Sequence, residues 1–198
     1  MTRCPILAAG AAAQGIPAQV FTLDPAHGSV TFGVSHPGLS QFTAGFDTLS
    51  ATLTLDPDDP DAAELEAEIL VSSLDLPTPP LGLRVALMAP LWFDADAHPT
   101  ITCRSDAITR TGDDAAQIEG TLTINGIDRP VRLTVTYNAG YPAGLFEPHA
   151  RIGFSAETDT RRSEFGLTEG IPGAGSELGV GDSVRIRIEA EFTGTAAD

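Results

Sequence analysis

Apolar and polar residues alternate along many short segments of the chain, and residues 120–135 are the clearest example. In residues 121–124 threonine alternates with leucine or isoleucine, and in residues 131–135 valine and leucine alternate with arginine and threonine. Asn125 and Gly126 lie between the two runs. Successive side chains of a strand point to opposite faces, and Asn-Gly is typical of two-residue turns. The pattern therefore predicts a β-hairpin with one apolar face.

Similar alternation predicts further strands at residues 30–34, 49–55, 65–71, 152–156 and 184–192. Residues 65–71 could also form a helix, but strict alternation favours a strand. The acidic segment 56–61 contains two prolines, which cannot donate to a ladder, so it is predicted to be a turn. Only residues 83–91 show a short helical pattern. Many strands with brief connections indicate a closed antiparallel barrel or a sandwich.

The hairpin also resembles a known family. Residues 120–135 are similar to the signature G-x-L-T-I-x-G-x-x-[KR]-P-V-x-L-x-V of YceI-like proteins, and the segments 24–36 and 162–167 resemble two further motifs of that family, in the same order. The resemblance runs from about residue 21 to residue 192. It implies an all-β fold, a closed antiparallel lipocalin-like β-barrel of about eight strands with one short helix, that holds a polyisoprenoid or a similar lipid.

One segment departs from the family pattern. Relatives often carry Arg-Asp-x-His-Leu where this chain has Arg84-Val-Ala-Leu-Met88, so a polar pair is replaced by apolar residues. We expect a short helix here that ends or kinks at Pro90. Its side chains Leu87 and Met88, together with Trp92, are expected to point inward. The helix is then either an apolar lid over the barrel or a cap on its core.

The length fits one domain, which we assign to residues 20–194. Residues 1–19 form either a short secretory signal, with cleavage after Ala18, or a flexible leader rich in Ala and Gly. The first alternative makes the protein periplasmic or secreted, and the second makes it cytoplasmic. The resemblance favours export, because many relatives are exported.

Net charge excludes some partners. A charge of −16 and an isoelectric point near 4.3 argue against binding to nucleic acid, and also against attraction to anionic membranes. The sequence contains no run of 18 apolar residues, so we expect no integral membrane insertion. Cys4 and Cys103 are far apart, and we expect no structural disulfide between them.

Apolar residues on the predicted inner faces are the candidate ligand contacts. In any barrel such residues form the core first, and a cavity exists only where small side chains leave room. The candidates are Phe32, Val34, Phe42, Phe46, Leu87, Trp92, Leu122, Ile124, Phe154 and Phe165.

Arg162 is the polar candidate. It lies in a dense group of mixed charges with Asp159, Arg161, Glu164 and Asp182. It could orient the polar head of a ligand at the mouth of the barrel. Alternatively, it is a structural arginine that ties a loop to carboxylates through paired hydrogen bonds.

Catalytic and metal-binding patterns are weak. His27, His36, His98 and His149 show no spacing typical of a metal site, so we expect surface or hydrogen-bonded structural histidines, no metal and no cofactor. Serine occurs in no G-x-S-x-G motif, and a strand position for Cys103 would suppress the reactivity of its thiol. The sequence thus predicts a protein that is not an enzyme.

The favoured function is sequestration or transport of a long apolar molecule in the barrel interior. The resemblance implies a polyisoprenoid, an isoprenoid quinone or a fatty-acyl amide, with a homodimer left open. One alternative is a stress-related structural or interaction protein whose barrel is filled. Another is an enzyme acting on an apolar substrate, which would need a pair of titratable groups inside the barrel, with Asp24, His27 or Arg162 as suspects.

Overall fold

The computed structural model describes residues 15–144, 147–176 and 178–196. Within these ranges the strands are β1 Gln19–His36, β2 Ser40–Phe46, β3 Leu49–Leu55, β4 Glu64–Leu70, β5 Leu74–Asp75, β6 Thr100–Arg110, β7 Ala115–Ile124, β8 Ile127–Tyr141, β9 His149–Arg161 and β10 Ser183–Ala196. An α-helix, α1, spans Leu83–Met88. Short 3-10 helices span Pro60–Ala62, Val71–Ser73 and Arg162–Phe165.

The strands form a closed antiparallel barrel, as the sequence predicts. Neighbouring strands pair in the order β10-β9-β8-β7-β6-β4-β3-β1, and β10 pairs with β1 to close a ring of eight. β1 is long and pairs with two further strands along its length. Its residues 19–22 pair with β3, and its residues 30–36 pair with β2. A register irregularity between Leu23 and Gly28 separates these two halves where β1 pairs with β10. β5 extends the wall beyond β2.

The predicted hairpin is confirmed. β7 and β8 pair in register from Ala115 with Thr136 to Ile124 with Ile127. Asn125 and Gly126 both have positive φ angles, of 55° and 70°. This conformation matches the type of tight turn that joins twisted strands, and it favours Asn and Gly. The segment that could have been a helix, residues 65–71, is largely strand β4.

The helical segment is shorter than predicted. The pattern covers residues 83–91, but α1 ends at Met88 and Ala89 is extended. Ala89 precedes Pro90, whose ring disfavours helical backbone in the preceding residue. Turns then lead through Trp92 to β6.

The barrel packing begins before the predicted domain boundary. Residues 1–14 of the predicted leader lie outside the described residues. Ile16 is buried and packs in a core cluster with Phe21, Ile152 and Phe192, and β1 already begins at Gln19. Ile16 and Gln19 therefore belong to the barrel, whereas Pro17 and Ala18 between them are exposed. Cleavage after Ala18 would remove one side chain of that core.

The two ends of the barrel differ in composition. At one end lie residues 56–63 and 111–114, which carry six aspartates and no basic residue, and we call this the acidic end. At the other lie the turn 37–39 and the segments 76–99 and 162–182, which we call the apolar end. Because all neighbouring strands are antiparallel, residues that follow β3 and β6 share one end, and those that follow β1 and β9 share the other.

Candidate ligand cavity

A cavity of about 680 Å³ occupies the interior of the barrel. Inward side chains from alternate positions of the strands form its wall. On β10, for example, every second residue from Val184 to Phe192 lines the cavity, which is the face predicted from the alternation. On β4, Leu65, Ala67 and Ile69 do the same. Small residues such as Ala51, Ala67 and Ala156 are part of the same wall, and they fill less of the interior than larger side chains would.

All of the candidate ligand contacts line this cavity. They are Phe32, Val34, Phe42, Phe46, Leu87, Trp92, Leu122, Ile124, Phe154, Arg162 and Phe165. The phenylalanines also contact one another, since the rings of Phe32 and Phe46 lie 5.8 Å apart between centroids and those of Phe46 and Phe93 lie 6.1 Å apart. That these residues contact a bound ligand stays a prediction.

Helix α1 covers the cavity at the apolar end. Leu83 and Leu87 are four residues apart, hence on one face, and both line the cavity. Met88 is partly buried against the same core, whereas Val85 on the opposite face is 75% exposed. The Arg84 guanidinium donates hydrogen bonds to the carbonyl oxygens of Ser72 and Leu74, which hold the helix against β5.

Arg162 binds backbone carbonyls and not the carboxylates that the sequence suggested. Its guanidinium donates to the carbonyl oxygens of Gly181 at 2.9 Å and of Leu167, Glu169 and Val180 at 2.8 Å each. The nearby carboxylate of Asp182 accepts instead from the amide and hydroxyl of Ser163. Four carbonyls from one loop converge on a single planar group, so Arg162 fixes the shape of residues 167–181.

The side chain of Arg162 is largely shielded from water. The residue is 6% exposed, and its guanidinium carbon lies 5.4 Å from the centroid of the Trp92 ring, a cation–π contact. Burial lowers the pKa of Arg162, while the charges of Asp182 and Glu169 oppose that shift. The side chain stays charged, because an arginine titrates far above neutral pH. Arg162 thereby joins the segment after α1 to the 167–181 loop.

Cys103 lies on β6 and lines the cavity. Burial, followed by the charge of Asp106, raises the pKa of its thiol to about 11. The thiolate is the reactive form, so this thiol is a poor nucleophile at neutral pH. This agrees with the sequence prediction.

A polar network at the acidic end could not be predicted from the sequence. Asp24 lies 2.9 Å from Nδ1 of His27 and accepts a hydrogen bond from Arg151 at 2.8 Å. Arg151 also donates to Glu147 at 3.0 Å and to Glu191 at 3.4 Å. The hydrogen bonds from His27 and then Arg151 hold the pKa of Asp24 well below its usual range. These residues are up to 167 positions apart, and only the pairing of β1, β9 and β10 brings them together.

In the described residues, no helix has the length and apolar character needed to cross a bilayer.

Comparison with known proteins places the chain among YceI-like domains. The model of the YceI-like domain family matches residues 21–192. This is the span of the resemblance predicted above, and the match confirms that resemblance. UPF0312 proteins from Azotobacter vinelandii, Pectobacterium atrosepticum and Pseudomonas putida (strain W619) are 25%, 26% and 28% identical over 154, 160 and 153 residues. The alignments cover 77%, 80% and 76% of this chain and the same share of each relative.

Solved structures support the fold. BcnA from Burkholderia cenocepacia superposes with a TM-score of 0.72 at 24% identity, covering 85% of this chain and 98% of BcnA. A polyisoprenoid-binding domain from Saccharophagus degradans gives a TM-score of 0.61 at 15% identity, covering 89% and 99%. At these identities the likeness concerns the fold, and it confirms the predicted closed barrel.

Proposed function

This chain belongs to the family of YceI-like domains, and from that premise we propose that it binds a long apolar molecule in the barrel and sequesters or transports it without catalysis. The observation that carries the proposal is the cavity. Its volume of about 680 Å³ is within the range of small-molecule sites, and strand side chains that are mostly aliphatic or aromatic line it. An open interior of this size disfavours the alternative of a filled barrel.

The chemistry of the lining favours an isoprenoid or acyl chain. Such chains bind by losing contact with water, and burial of about 400 Å² of apolar surface contributes roughly 10 kcal/mol before the cost of immobilising the chain. A polyisoprenoid, an isoprenoid quinone and a fatty-acyl amide all fit this description. The polyisoprenoid-binding domain from Saccharophagus degradans, which has a similar fold, supports the first of these.

The titratable groups of the lining support binding over catalysis. Cys103 is protonated at neutral pH, and Arg162 already donates four hydrogen bonds to carbonyl oxygens. His36, Glu68 and Arg110 also line the cavity, but within the described part of the chain no hydrogen bond or ion pair joins any two of these five side chains. A general base paired with a nucleophile needs hydrogen-bond contact between the two groups. Asp24 and His27, which do make such a contact, belong to the network at the acidic end and are not in the cavity wall.

The test is to fill the cavity without disturbing the fold. Ala156 lines the cavity, so Ala156→Phe should reduce binding of a C20 isoprenoid alcohol, geranylgeraniol, at least about tenfold while the protein stays folded. Ala107 is an exposed alanine on β6, and Ala107→Phe is the matched control that should bind normally. Binding is measured by native mass spectrometry, with lipid extraction of the purified protein.

Two outcomes would contradict the proposal. Equal binding by wild type, Ala156→Phe and Ala107→Phe would place the ligand outside the cavity. Conversion of the bound lipid to a product of different mass would indicate an enzyme.

A further inference from the structure

Large apolar side chains are exposed in the turns and loops at the apolar end. Leu81 is fully exposed, Val85 is 75% exposed and Leu91 is 69% exposed, all in the segment around α1. Leu39 in the turn after β1 is 86% exposed, and Leu178 in the loop before β10 is 85% exposed. Soluble chains rarely expose a group of large apolar residues on one surface unless it binds something. We call these five residues the apolar rim.

The rim is continuous with the cavity. Leu81 follows Pro80, which lines the cavity, and Leu91 precedes Trp92, which also lines it. Val85 lies on the outer face of α1, whose inner face lines the cavity through Leu83 and Leu87. Leu39 follows the lining residue His36 by three positions in the sequence, and Leu178 precedes the lining residue Val180 by two.

The rim is held in place by hydrogen bonds. Arg84 ties α1 to the chain at Ser72 and Leu74, and Arg162 ties the loop that carries Leu178. The amide of Gly181 donates to the carbonyl of Ser35 at 2.8 Å, which sets that loop beside the end of β1 and hence near the turn that contains Leu39. The exposed side chains therefore stand on anchored segments.

From this arrangement we infer that the apolar end docks on the surface of an uncharged lipid bilayer, and that the cavity exchanges its ligand with that bilayer. The inference rests on the proposed function and names the source of its ligand. A long apolar chain partitions into bilayers, and moving it through water costs about 25 cal/mol for each Å² exposed. A rim that meets the bilayer lets the chain pass from lipid into the cavity without crossing water.

Charge selects the type of bilayer. The six aspartates of the acidic end face away from a bilayer that contacts the rim. The segments of the apolar end also carry more acidic than basic residues, namely Asp94, Asp96, Glu164, Glu169, Glu177 and Asp182 against Arg84 and Arg162, and the whole chain has a charge of −16. An anionic lipid surface repels such a protein, so zwitterionic or neutral lipid fits best.

The experiment is flotation of the full chain with vesicles of phosphatidylcholine that contain no isoprenoid. Wild type should float with the vesicles. Leu81→Asp/Val85→Asp should reduce the bound fraction at least about tenfold, since each change replaces an apolar contact with a charge at the interface. Vesicles that contain phosphatidylglycerol should bind less wild-type protein at low salt, with partial recovery at high salt, where charges are screened.

Val20→Asp is the matched control. Val20 is 53% exposed on β1, on the half of that strand nearer the acidic end, so the variant should float like wild type. Leu39→Asp/Leu178→Asp removes the other half of the rim and should behave like the first double variant. All variants should keep the melting temperature of wild type and should bind geranylgeraniol delivered from ethanol.

Three outcomes would overturn the inference. Wild type that binds geranylgeraniol but never floats would exclude docking and leave the proposed function intact. Flotation of wild type and both double variants alike would exclude the rim as the contact. Wild type that is a dimer in solution and does not float, with both double variants monomeric, would make the rim an interface between copies.

Discussion

An arginine organises each end of the barrel, and the two arginines have opposite kinds of partner. Arg162, at the apolar end, is 6% exposed and donates to four backbone carbonyls. Arg151, near the acidic end, has a side chain that is 21% exposed and contacts the carboxylates of Asp24, Glu147 and Glu191. Both join segments that are distant in the chain.

Burial explains the difference. Taking a carboxylate out of water costs several kcal/mol, and an ion pair inside a protein often fails to recover that cost. Removing a neutral carbonyl from water costs less free energy than removing a carboxylate. Four carbonyl oxygens can accept hydrogen bonds from one guanidinium without bringing a second charge into the interior. At the acidic end water still reaches the carboxylates, so charges can be paired there at little cost. The more buried guanidinium is therefore matched by backbone dipoles, and the more exposed one is matched by charges.

Removal of Arg162 should have the largest effect on stability. Arg162→Ala leaves several buried or partly buried carbonyls without their donor, and should lower the free energy of unfolding by at least about 3 kcal/mol in a denaturant titration. Arg185→Ala is the matched control, because Arg185 forms an exposed ion pair with Asp159 and such pairs contribute little. Arg162→Ala with normal stability but no bound lipid would instead assign Arg162 to the ligand's head group.

Removal of Asp24 should have a smaller effect that depends on pH. The pKa of Asp24 is lowered in the folded state, first by His27 and then by Arg151, so the carboxylate stabilises the fold above its unfolded pKa of about 3.9. Asp24→Asn should cost about 1 kcal/mol at pH 7. The difference from wild type should shrink as the pH falls below about 4, because Asp24 of the unfolded chain then takes up a proton and the folded carboxylate follows only at lower pH.

Thermal unfolding of both proteins between pH 7 and pH 2 checks this prediction. A constant difference across the range would mean that Asp24 contributes by packing and not by its charge. Since Arg151→Ala removes one of the two partners, it should reduce the same pH dependence.

Neutralising the acidic turn should have the smallest effect on stability. Asp58→Asn/Asp59→Asn changes two exposed side chains, and should alter the free energy of unfolding by less than about 0.5 kcal/mol. Binding to phosphatidylcholine vesicles should not change, while binding to vesicles with phosphatidylglycerol should increase at low salt. A loss of binding to phosphatidylcholine would instead show that the acidic end also contacts lipid.

Much of the wall was predictable from the sequence because it depends on local alternation. Every second residue on β4, β7, β8 and β10 points into the barrel, and this follows from strand geometry once the segment is recognised as a strand. The Asn125-Gly126 turn fixed the register of one hairpin in the same way. The proline at position 90 correctly predicted a short helix, although α1 ends earlier than the pattern suggested.

The sequence alone determined the class of fold, the inward faces and the departure from the family at residues 84–88. Only the tertiary structure decided that the barrel is hollow, since whether small side chains leave space depends on how eight strands stand opposite one another. It also decided the partners of Arg162 and Arg151. A hydrogen bond joins two atoms in space, and alternation along one strand does not reveal which distant loop or strand supplies the second atom.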